Sequence, residues 1–289
     1  MTADIKTFET YRGYLFSIAY RMLGSAMEAE DIVQEAFLRY QQAATTTIKS
    51  PKAYLSTITT RLCLDQLKSA KTKRENYVGT WLPEPILTTD ETPEAINSER
   101  ETISMAFLVL LESLSPVERA VFLLRDVFDY DYADIARFVD KSEDNCRRYY
   151  HRAKQFVTER RPRFEPAHDE QVKLMDSFMQ AVMKGDVEAL THVLAEDIVV
   201  YGDGGGKMPA SPHPIVGREL AVRLLMGAYR LTPAEVRMEM AQVNATPSLL
   251  FWRGNHLYAV VNFTIVDNQI ISVRNIFNPD KLKYIQEHH

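Results

Sequence analysis

Charged and amide side chains are concentrated in a segment, 131–157, whose pattern predicts two short helices joined by a tight turn. Ile135 and Val139 supply an apolar face for the first helix, and Ser142 is a good N-cap for the second. The second helix then carries Glu143, Asn145, Arg147, Arg148, Arg152 and Lys154. Arginine can form two hydrogen bonds to guanine, and asparagine can do the same with adenine. The pattern favours a helix-turn-helix that reads DNA in the major groove; an ordinary helical hairpin with a solvated basic face remains the alternative.

A second basic segment, 51–76, has six basic residues against two acidic ones. Pro51 suits the first turn of a helix that runs to about residue 69, and a threonine-rich loop at 43–50 precedes it. A basic helix beside a polar loop is typical of a surface that holds a separated DNA strand. Taken by itself, this segment is better explained as a solvated helix face.

The composition excludes several classes of protein. The chain has 289 residues, of which 46% are hydrophobic, so it can form compact cores. Its two cysteines, Cys63 and Cys146, cannot build a disulfide framework or a four-ligand zinc site. No apolar run approaches the ~20 residues that cross a bilayer, and there is no signal-peptide pattern, so we expect a cytoplasmic protein. The net charge of −5 argues against a free-standing nucleic-acid binder.

The chain changes character twice along its length. Helical periodicity covers residues 8–75 and 100–160, where Ser115 and Pro116 mark a helix start. Between them, segment 81–101 has six acidic residues against one basic residue, and its prolines indicate a semi-extended acidic linker. After residue 166, helices precede runs with a period of two at 257–266 and 270–277, which predicts an α+β domain with a curved antiparallel sheet.

Three motifs in the helical part carry a family resemblance. They read FSIAYRMLG at 16–24, AEDIVQEAFLR at 29–39 and LSPVERAVFLLR at 114–125. The first two resemble region 2 of the sigma-70 family, specifically the extracytoplasmic-function (ECF) group, and the third, with the helix-turn-helix, resembles region 4. The resemblance spans about residues 8–160. It implies a sigma factor that binds core RNA polymerase and promoter DNA, with no catalysis, cofactor or metal of its own.

The resemblance assigns roles to three sets of residues. Docking on the β′ clamp of core polymerase would use Asp31, Gln34, Glu35 and Arg39, and region 4 would meet the β flap. The loop 43–50 and the helix 51–69 would melt and hold the −10 element, through Lys52, Tyr54, Arg61, Lys68, Lys71 and Arg74. The −35 element would be read by Glu143, Asn145, Arg147, Arg148, Arg152 and Lys154. The acidic linker would pass through the active-site cleft or the RNA exit channel of the polymerase.

The C-terminal part resembles the SnoaL-like fold, the cone-shaped α+β domain shared with nuclear transport factor 2 and polyketide cyclases. Three short motifs, WLPEP at 81–85, DGGGK at 203–207 and NPDKL at 278–282, resemble the SigJ-like subgroup of ECF factors. The resemblance implies regulation of the sigma core from within the chain, through Trp81, Pro83, Pro85, Asp203, Gly204, Gly205, Gly206, Lys207, Asn278, Pro279 and Asp280. The predicted domains are 1–76 (region 2), 77–101 (linker), 102–162 (region 4) and 167–289 (SnoaL-like).

The glycine-rich stretch 203–207 is not a phosphate-binding loop, because Tyr201 and Met208 stand where that motif needs glycine and Ser or Thr. It is either a plain surface turn or an interaction loop whose glycines allow close approach of a partner.

Two other functions compete with a sigma factor. One is a helix-turn-helix regulator controlled by a small-molecule ligand, which would occupy an apolar pocket formed by Phe178, Phe251, Tyr258 and Phe263; core packing is the alternative role of those residues. The other is an isomerase or cyclase, whose acid–base group would come from Asp203, His192, His213 or His256.

Overall fold

The computed structural model describes residues 5–43, 48–88, 103–160 and 168–288, and the chain divides into two compact units. Unit 1 comprises residues 1–76 and 107–161, and unit 2 comprises 77–106 and 162–289. The first part of the predicted linker, up to Thr88, therefore belongs to unit 2, and the rest of the linker up to residue 101 lies outside the described residues. Each unit has its own hydrophobic core.

Unit 1 is helical. Its elements are α1 (Ile5–Leu23), α2 (Ala26–Gln42), α3 (Pro51–Glu75), α4 (Met105–Leu111, in unit 1 from Phe107), α5 (Pro116–Asp126), α6 (Tyr132–Val139) and α7 (Glu143–Arg160). Phe8, Leu15, Val33, Tyr40 and Leu55 form a cluster that joins α1, α2 and α3. No helix in the described ranges is long and apolar enough to span a bilayer.

Capping residues set the helix starts in unit 1 as the sequence predicts. Ser115 accepts a hydrogen bond from the backbone N–H of Glu118, while the Glu118 side chain bonds back to Ser115, which is a complete capping box. Ser142 accepts from the backbone N–H of Asn145 at 3.3 Å. Asp140 has a left-handed φ of 54°, which ends α6 in one residue and allows α7 to start at a sharp angle. The helix-turn-helix prediction is confirmed in its local geometry.

The described residues of unit 2 form four helices after residue 167 and a six-stranded sheet. The helices are α8 (His168–Lys184), α9 (Val187–Val193), α10 (Arg218–Leu231) and α11 (Pro279–His288). The strands are β1 (Leu194–Asp203), β2 (Ile215–Val216), β3 (Val236–Val243), β4 (Thr246–Arg253), β5 (His256–Val266) and β6 (Gln269–Ile276), in spatial order β2-β1-β6-β5-β4-β3. Apolar side chains of α8, α9 and α10 pack on the sheet, including Phe178, Leu190 and Val222.

The sheet is mixed, so the prediction of an antiparallel sheet is wrong at one strand pair. Strands β3 to β6 form antiparallel hairpins, but β6 lies parallel to β1, with Val200 opposite Val273. Alternating hydrophobicity identifies strands and hairpins between neighbours in the chain. It carries no information on the direction of β1 and β6, because α10 and four strands separate them and no short turn constrains their pairing.

Candidate functional site

The first two turns of α7 present two side chains without partners in the part of the chain that the structure describes. Asn145 and Arg148 are exposed, and neither side chain forms a hydrogen bond or ion pair there. Cys146, Ala153 and Val157, on the opposite face of α7, are buried in unit 1. A helix with one face anchored and its N-terminal polar residues exposed has the geometry that enters a major groove.

The other predicted DNA-contacting side chains of α7 already have intramolecular partners. Arg147 pairs with Glu143 at 3.1 Å and lies over the ring of Tyr132. Arg152 pairs with Glu118 at 2.8 Å, and Lys154 pairs with Asp126 at 2.7 Å. Such half-exposed ion pairs contribute little to stability, so another charged group could replace either partner. Asn145 and Arg148 have no described partner to give up.

The predicted polymerase-docking residues lie together on the surface of α2. Asp31, Gln34 and Arg39 are exposed, and Arg39 donates to Glu35 at 2.7 Å. Leu38 lies among them with 50% of its surface exposed. Because α2 buries its other side, with Val33 and Tyr40 in the core, this polar face with an apolar residue is the part of the helix available to another protein.

The predicted −10 residues are brought together on α3 only in part. The guanidinium of Arg61 donates to the carbonyl oxygens of Arg137 at 2.8 Å and Phe138 at 3.3 Å, at the end of α6. Lys52 lies 4.5 Å from the centre of the Tyr14 ring, and Tyr54 packs half-buried beside the cluster of α1 to α3. Lys68 is exposed and pairs with Asp65. Loop residues 44–47 and the side chains of Lys71 and Arg74 lie outside the described part.

A buried polar contact, which the sequence did not reveal, ties α3 to the segment before α6. The hydroxyl of Tyr130 lies 3.0 Å from that of Tyr14 and 2.8 Å from that of Ser56. Burial and the hydrogen bond to Tyr130 raise the pKa of Tyr14 well above its usual value. A similar contact joins α5 to α1, where buried Arg119 donates to the carbonyl oxygen of Met22 at 2.6 Å; burial lowers the pKa of Arg119 to about 10.

In unit 2, the three short motifs meet at Asp203, which is completely buried at the end of β1. One carboxylate oxygen, Oδ2, accepts from the Lys281 ammonium at 2.6 Å and from the backbone N–H of Leu82 at 2.8 Å. The other, Oδ1, accepts from the hydroxyl of Tyr77. A buried carboxylate is stable only when it is paired and hydrogen-bonded in this way. Asp203 of the second motif and Lys281 of the third motif therefore hold the first motif, 81–85, in place.

Lys281 is the other half of this buried pair, and it contacts the linker directly. Its ammonium donates to the carbonyl oxygen of Leu82 and lies 4.1 Å from the ring centre of Trp81. Pro83 and Pro85, which follow Leu82 in the linker, are also buried. Burial and the hydrogen bond to Asp203 raise the pKa of Tyr77 well above its usual value. We call this arrangement of Tyr77, Trp81, Leu82, Asp203 and Lys281 the linker seat.

Gly205 is required by the linker seat for two reasons. Its φ is 58°, and an added Cβ would lie 2.2 Å from the side-chain nitrogen of Asn278, which donates to the Tyr77 hydroxyl at 2.8 Å. Gly204 is similarly crowded by the carbonyl of Met208, and Gly206 lies near Val78. The glycines therefore allow close approach, which supports an interaction loop over a plain surface turn. Lys207 and Asp280 form an ion pair at its edge, and Pro279 begins α11.

We expect Gly205→Ala to weaken the linker seat by about 1–3 kcal/mol, through left-handed strain and displacement of Asn278. Hydrogen exchange at the backbone N–H of Leu82 would report the change. Gly254→Ala is the matched control, because Gly254 also has a positive φ but no atom lies near its added Cβ. Equal exchange at Leu82 in both variants would contradict the assignment.

The linker makes a second attachment that the sequence did not reveal. Leu87 forms an antiparallel bridge with Val243, and Thr88 donates its backbone N–H to Gln242 at 3.0 Å. Buried Asn244, in the β3–β4 turn, accepts from the backbone of Ile86 and donates to the carbonyl of Ile103. An asparagine with φ of 53° in a hairpin turn is ordinary, so no local pattern marks it as a linker contact.

Comparisons with known proteins identify the family of the helical part of the chain. The family model "Sigma-70 region 2" matches residues 7–73, and "Sigma-70, region 4" matches residues 104–157. The chain is 36% identical to the ECF RNA polymerase sigma factor SigJ of Mycobacterium tuberculosis, over 96% of this chain and 93% of that one. The chain belongs to the ECF sigma factor family.

One further relative and one crystal structure cover both units of this ECF sigma factor. The probable ECF sigma factor SigI of M. tuberculosis is 30% identical over 95% of this chain and 93% of its own length. The crystal structure of M. tuberculosis SigJ superposes with a TM-score of 0.76 at 30% identity, and the match covers 97% of this chain and 99% of that one. The predicted order of two helical sigma regions followed by an α+β domain is confirmed.

The candidate acid–base groups of the enzyme alternative lie apart from an apolar cavity that the described residues of unit 2 form. Asp203 is occupied by Lys281 and the linker. An apolar cavity of unit 2 is lined by neither Asp203 nor His192, His213 or His256. Phe178, Phe251 and Tyr258 line that cavity as expected, whereas Phe263 packs in the core and contacts Phe178 edge to face. The relatives that match this chain over more than nine-tenths of its length are sigma factors.

Proposed function

We propose that this sigma factor docks on the β′ clamp of core RNA polymerase through the exposed face of α2 and reads the −35 element with α7. The observation that carries the proposal is that Asn145 and Arg148 are exposed near the start of α7 and have no partner among the described residues. The opposite face of α7 is buried in unit 1. The −10 element is the target of α3 and its preceding loop. Overall acidity disfavours DNA binding by the chain alone, so polymerase must bring the basic surfaces to the promoter together.

Regulation within the chain acts on the linker in this proposal. Residues 77–88 are attached to unit 2 at two places, the linker seat and the β3–β4 turn. A linker held in this way is shorter and stiffer than a free chain, which limits the relative positions that regions 2 and 4 can adopt on polymerase.

Transcription in vitro with core polymerase tests both statements. The full chain should initiate at promoters that it selects from a random DNA library, and a chain that ends after residue 166 should differ in output at least severalfold. Failure of the full chain to bind core polymerase would overturn the docking proposal. Equal output from both chains would overturn the regulatory one.

The contacts of α3 support a closed resting state of unit 1. Arg61 cannot contact DNA while its guanidinium is bonded to the end of α6, and the Tyr130 hydroxyl holds the same side of α3. We infer that α6 leaves α3 when the −10 strand binds. The loss of these hydrogen bonds costs about 1 kcal/mol each, which is well within the energy that DNA contacts return.

Tyr130→Phe should therefore favour the open state, because it removes a hydroxyl that serves both Tyr14 and Ser56 while keeping the ring contact with Phe138. Binding of a labelled single-stranded oligonucleotide, measured by fluorescence anisotropy, should tighten about fivefold. The gain should vanish in the double variant with Arg61→Ala. Tyr11→Phe, which changes a half-buried tyrosine of α1, serves as the control and should bind as the unaltered chain does. No gain with Tyr130→Phe would contradict the closed state.

A further inference from the structure

Helix α10 of unit 2 has an apolar face that the proposed function does not use. Val222 and Leu225 lie on the side of the helix that is buried against the sheet. On the opposite side, Leu220, Leu224 and Leu231 are exposed, with exposed fractions from 38% for Leu224 to 85% for Leu231. A helix that is apolar on both sides is typical of one that packs against two neighbours, and the described residues cover one side.

The exposed side has the spacing of a helix–helix contact. Leu220, Leu224, Gly227 and Leu231 recur at intervals of four, three and four residues, which places them in one stripe along the helix. We call these four residues the α10 stripe. Apart from its own helix, no atom lies within 4 Å of a Cβ added to Gly227. This glycine therefore lets a second helix approach closely.

The stripe is large enough to hold a second molecule. Val216, in the strand before α10, is also exposed and extends the apolar surface at the start of the helix. Together with the three leucines it exposes on the order of 400 Å² of apolar surface, a size that marks interaction sites. Two copies that face each other would bury on the order of 1,000 Å² in total with their flanking residues, near the lower limit for a specific interface.

We infer that α10 pairs with α10 of a second copy of this chain, antiparallel and about a two-fold axis. The stripe is symmetric about its midpoint in the spacing of its residues, and it has a leucine at each end. A two-fold axis at the midpoint brings Leu220 opposite Leu231 of the second copy. It also brings Leu224 opposite Gly227, so that the leucine fills the space beside the glycine. Such a contact uses the same surface on both copies and closes at a dimer.

The charged residues beside the stripe favour a second copy over a partner of one charge. Arg230 is exposed and has no partner among the described residues. Glu219 is also exposed, and it pairs with Arg223 at 3.4 Å. At about 1.5 Å per residue, the antiparallel arrangement places Arg230 within one helical turn of Glu219 of the second copy. A purely acidic partner would meet Glu219 with like charge, and a purely basic one would meet the arginines.

Sedimentation equilibrium of the full chain tests the dimer. We expect a reversible monomer–dimer equilibrium with a Kd on the order of 10 µM, because the buried area is modest. Leu224→Glu should weaken the dimer at least tenfold, since it places a carboxylate in the middle of the stripe. Met240→Glu is the matched control, because Met240 is exposed to nearly the same fraction, 39%, and lies on β3 outside the stripe.

Gly227→Gln separates the contact from the folding of unit 2. Glutamine has a higher helix propensity than glycine, so at about 1 µM, where the chain is monomeric, this variant should resist urea at least as well as the unaltered chain. Its side chain should nevertheless hold the two helices apart and weaken the dimer at least tenfold. Unchanged dimerisation of this variant would contradict a close approach at Gly227.

Disulfide cross-linking tests the direction of the two helices. Leu220→Cys and Leu231→Cys chains, mixed and oxidised, should link to each other, and Leu220→Cys alone should link severalfold less. The native Cys63 and Cys146 are buried, so they should add little background. Preferential linking of Leu220→Cys to itself would overturn the antiparallel arrangement.

Two results would overturn the second copy as the occupant of the stripe. One is a chain that stays monomeric up to about 300 µM, well above the expected Kd, which would leave the stripe to a different protein. The other is an equal loss of dimer in Leu224→Glu and Met240→Glu. None of these measurements uses polymerase or DNA, so their failure is separate from failure of the proposed transcriptional function.

Discussion

Asp203→Asn is expected to destabilise unit 2 by about 3–5 kcal/mol, because it removes the carboxylate charge that pairs with the buried ammonium of Lys281. Lys281 is 5% exposed and Asp203 is completely buried, so water cannot replace the lost partner. The substitution also weakens the hydrogen bonds from Leu82 and Tyr77. Urea unfolding would measure the loss of free energy, and exchange at Leu82 would show release of the linker.

A double-mutant cycle separates the ion pair from general damage to the fold. Lys281→Met alone should also be destabilising, whereas Asp203→Asn combined with Lys281→Met should recover a large part of the loss, since neither buried charge remains. Asp280→Asn is the surface control, because its pair with Lys207 is about half exposed and such pairs contribute at most about 1 kcal/mol. Additive losses in the cycle would show that the pair is not coupled.

Arg148→Ala is expected to reduce transcription from a selected promoter by about one to two orders of magnitude, the usual cost of losing an arginine that reads a base. Arg148 is exposed and has no partner in the described chain, so the substitution removes no intramolecular contact. Its effect would therefore be on DNA recognition. The measurement is transcription in vitro, with core-polymerase binding measured separately.

Two matched variants make this result specific. Arg152→Ala removes a basic residue of the same helix that is paired with Glu118, and we expect less than a threefold loss. Glu35→Ala should weaken the binding of core polymerase, which Arg148→Ala should leave unchanged, because Glu35 lies on the exposed face of α2. Intact transcription with Arg148→Ala would show that the recognition helix is assigned wrongly.

Much of the local structure was predictable because short-range chemistry sets it. The capping box at Ser115, the N-cap at Ser142 and the turn at Asp140 each depend on residues within one or two helical turns. Likewise, the two antiparallel hairpins from β4 to β6 follow from alternation and short turns. The parallel pairing of β1 and β6 was not predictable, since it depends on how the intervening chain packs.

The candidate sites also differ in how far the sequence predicted them. For α2 and α7, the pattern of exposed residues follows from the face that each helix must bury, so sequence reasoning placed Asp31 and Arg148 on accessible surfaces. For α3 it could not foresee that Arg61 bonds the end of α6, or that Asn244 holds the linker. Both contacts are hydrogen bonds to backbone groups. Every residue carries such groups, so the sequence does not show which of them a side chain will bond.

The amino-acid sequence by itself determined the family, the two basic segments and the three motifs in and after the linker, because these depend on residue type and spacing. Only the tertiary structure decided that the motifs converge on one buried carboxylate, with Asp203 and Lys281 lying 78 positions apart. Charges that would be costly to bury alone become stable as a pair, and that pairing exists only once the sheet and α11 bring the two side chains together.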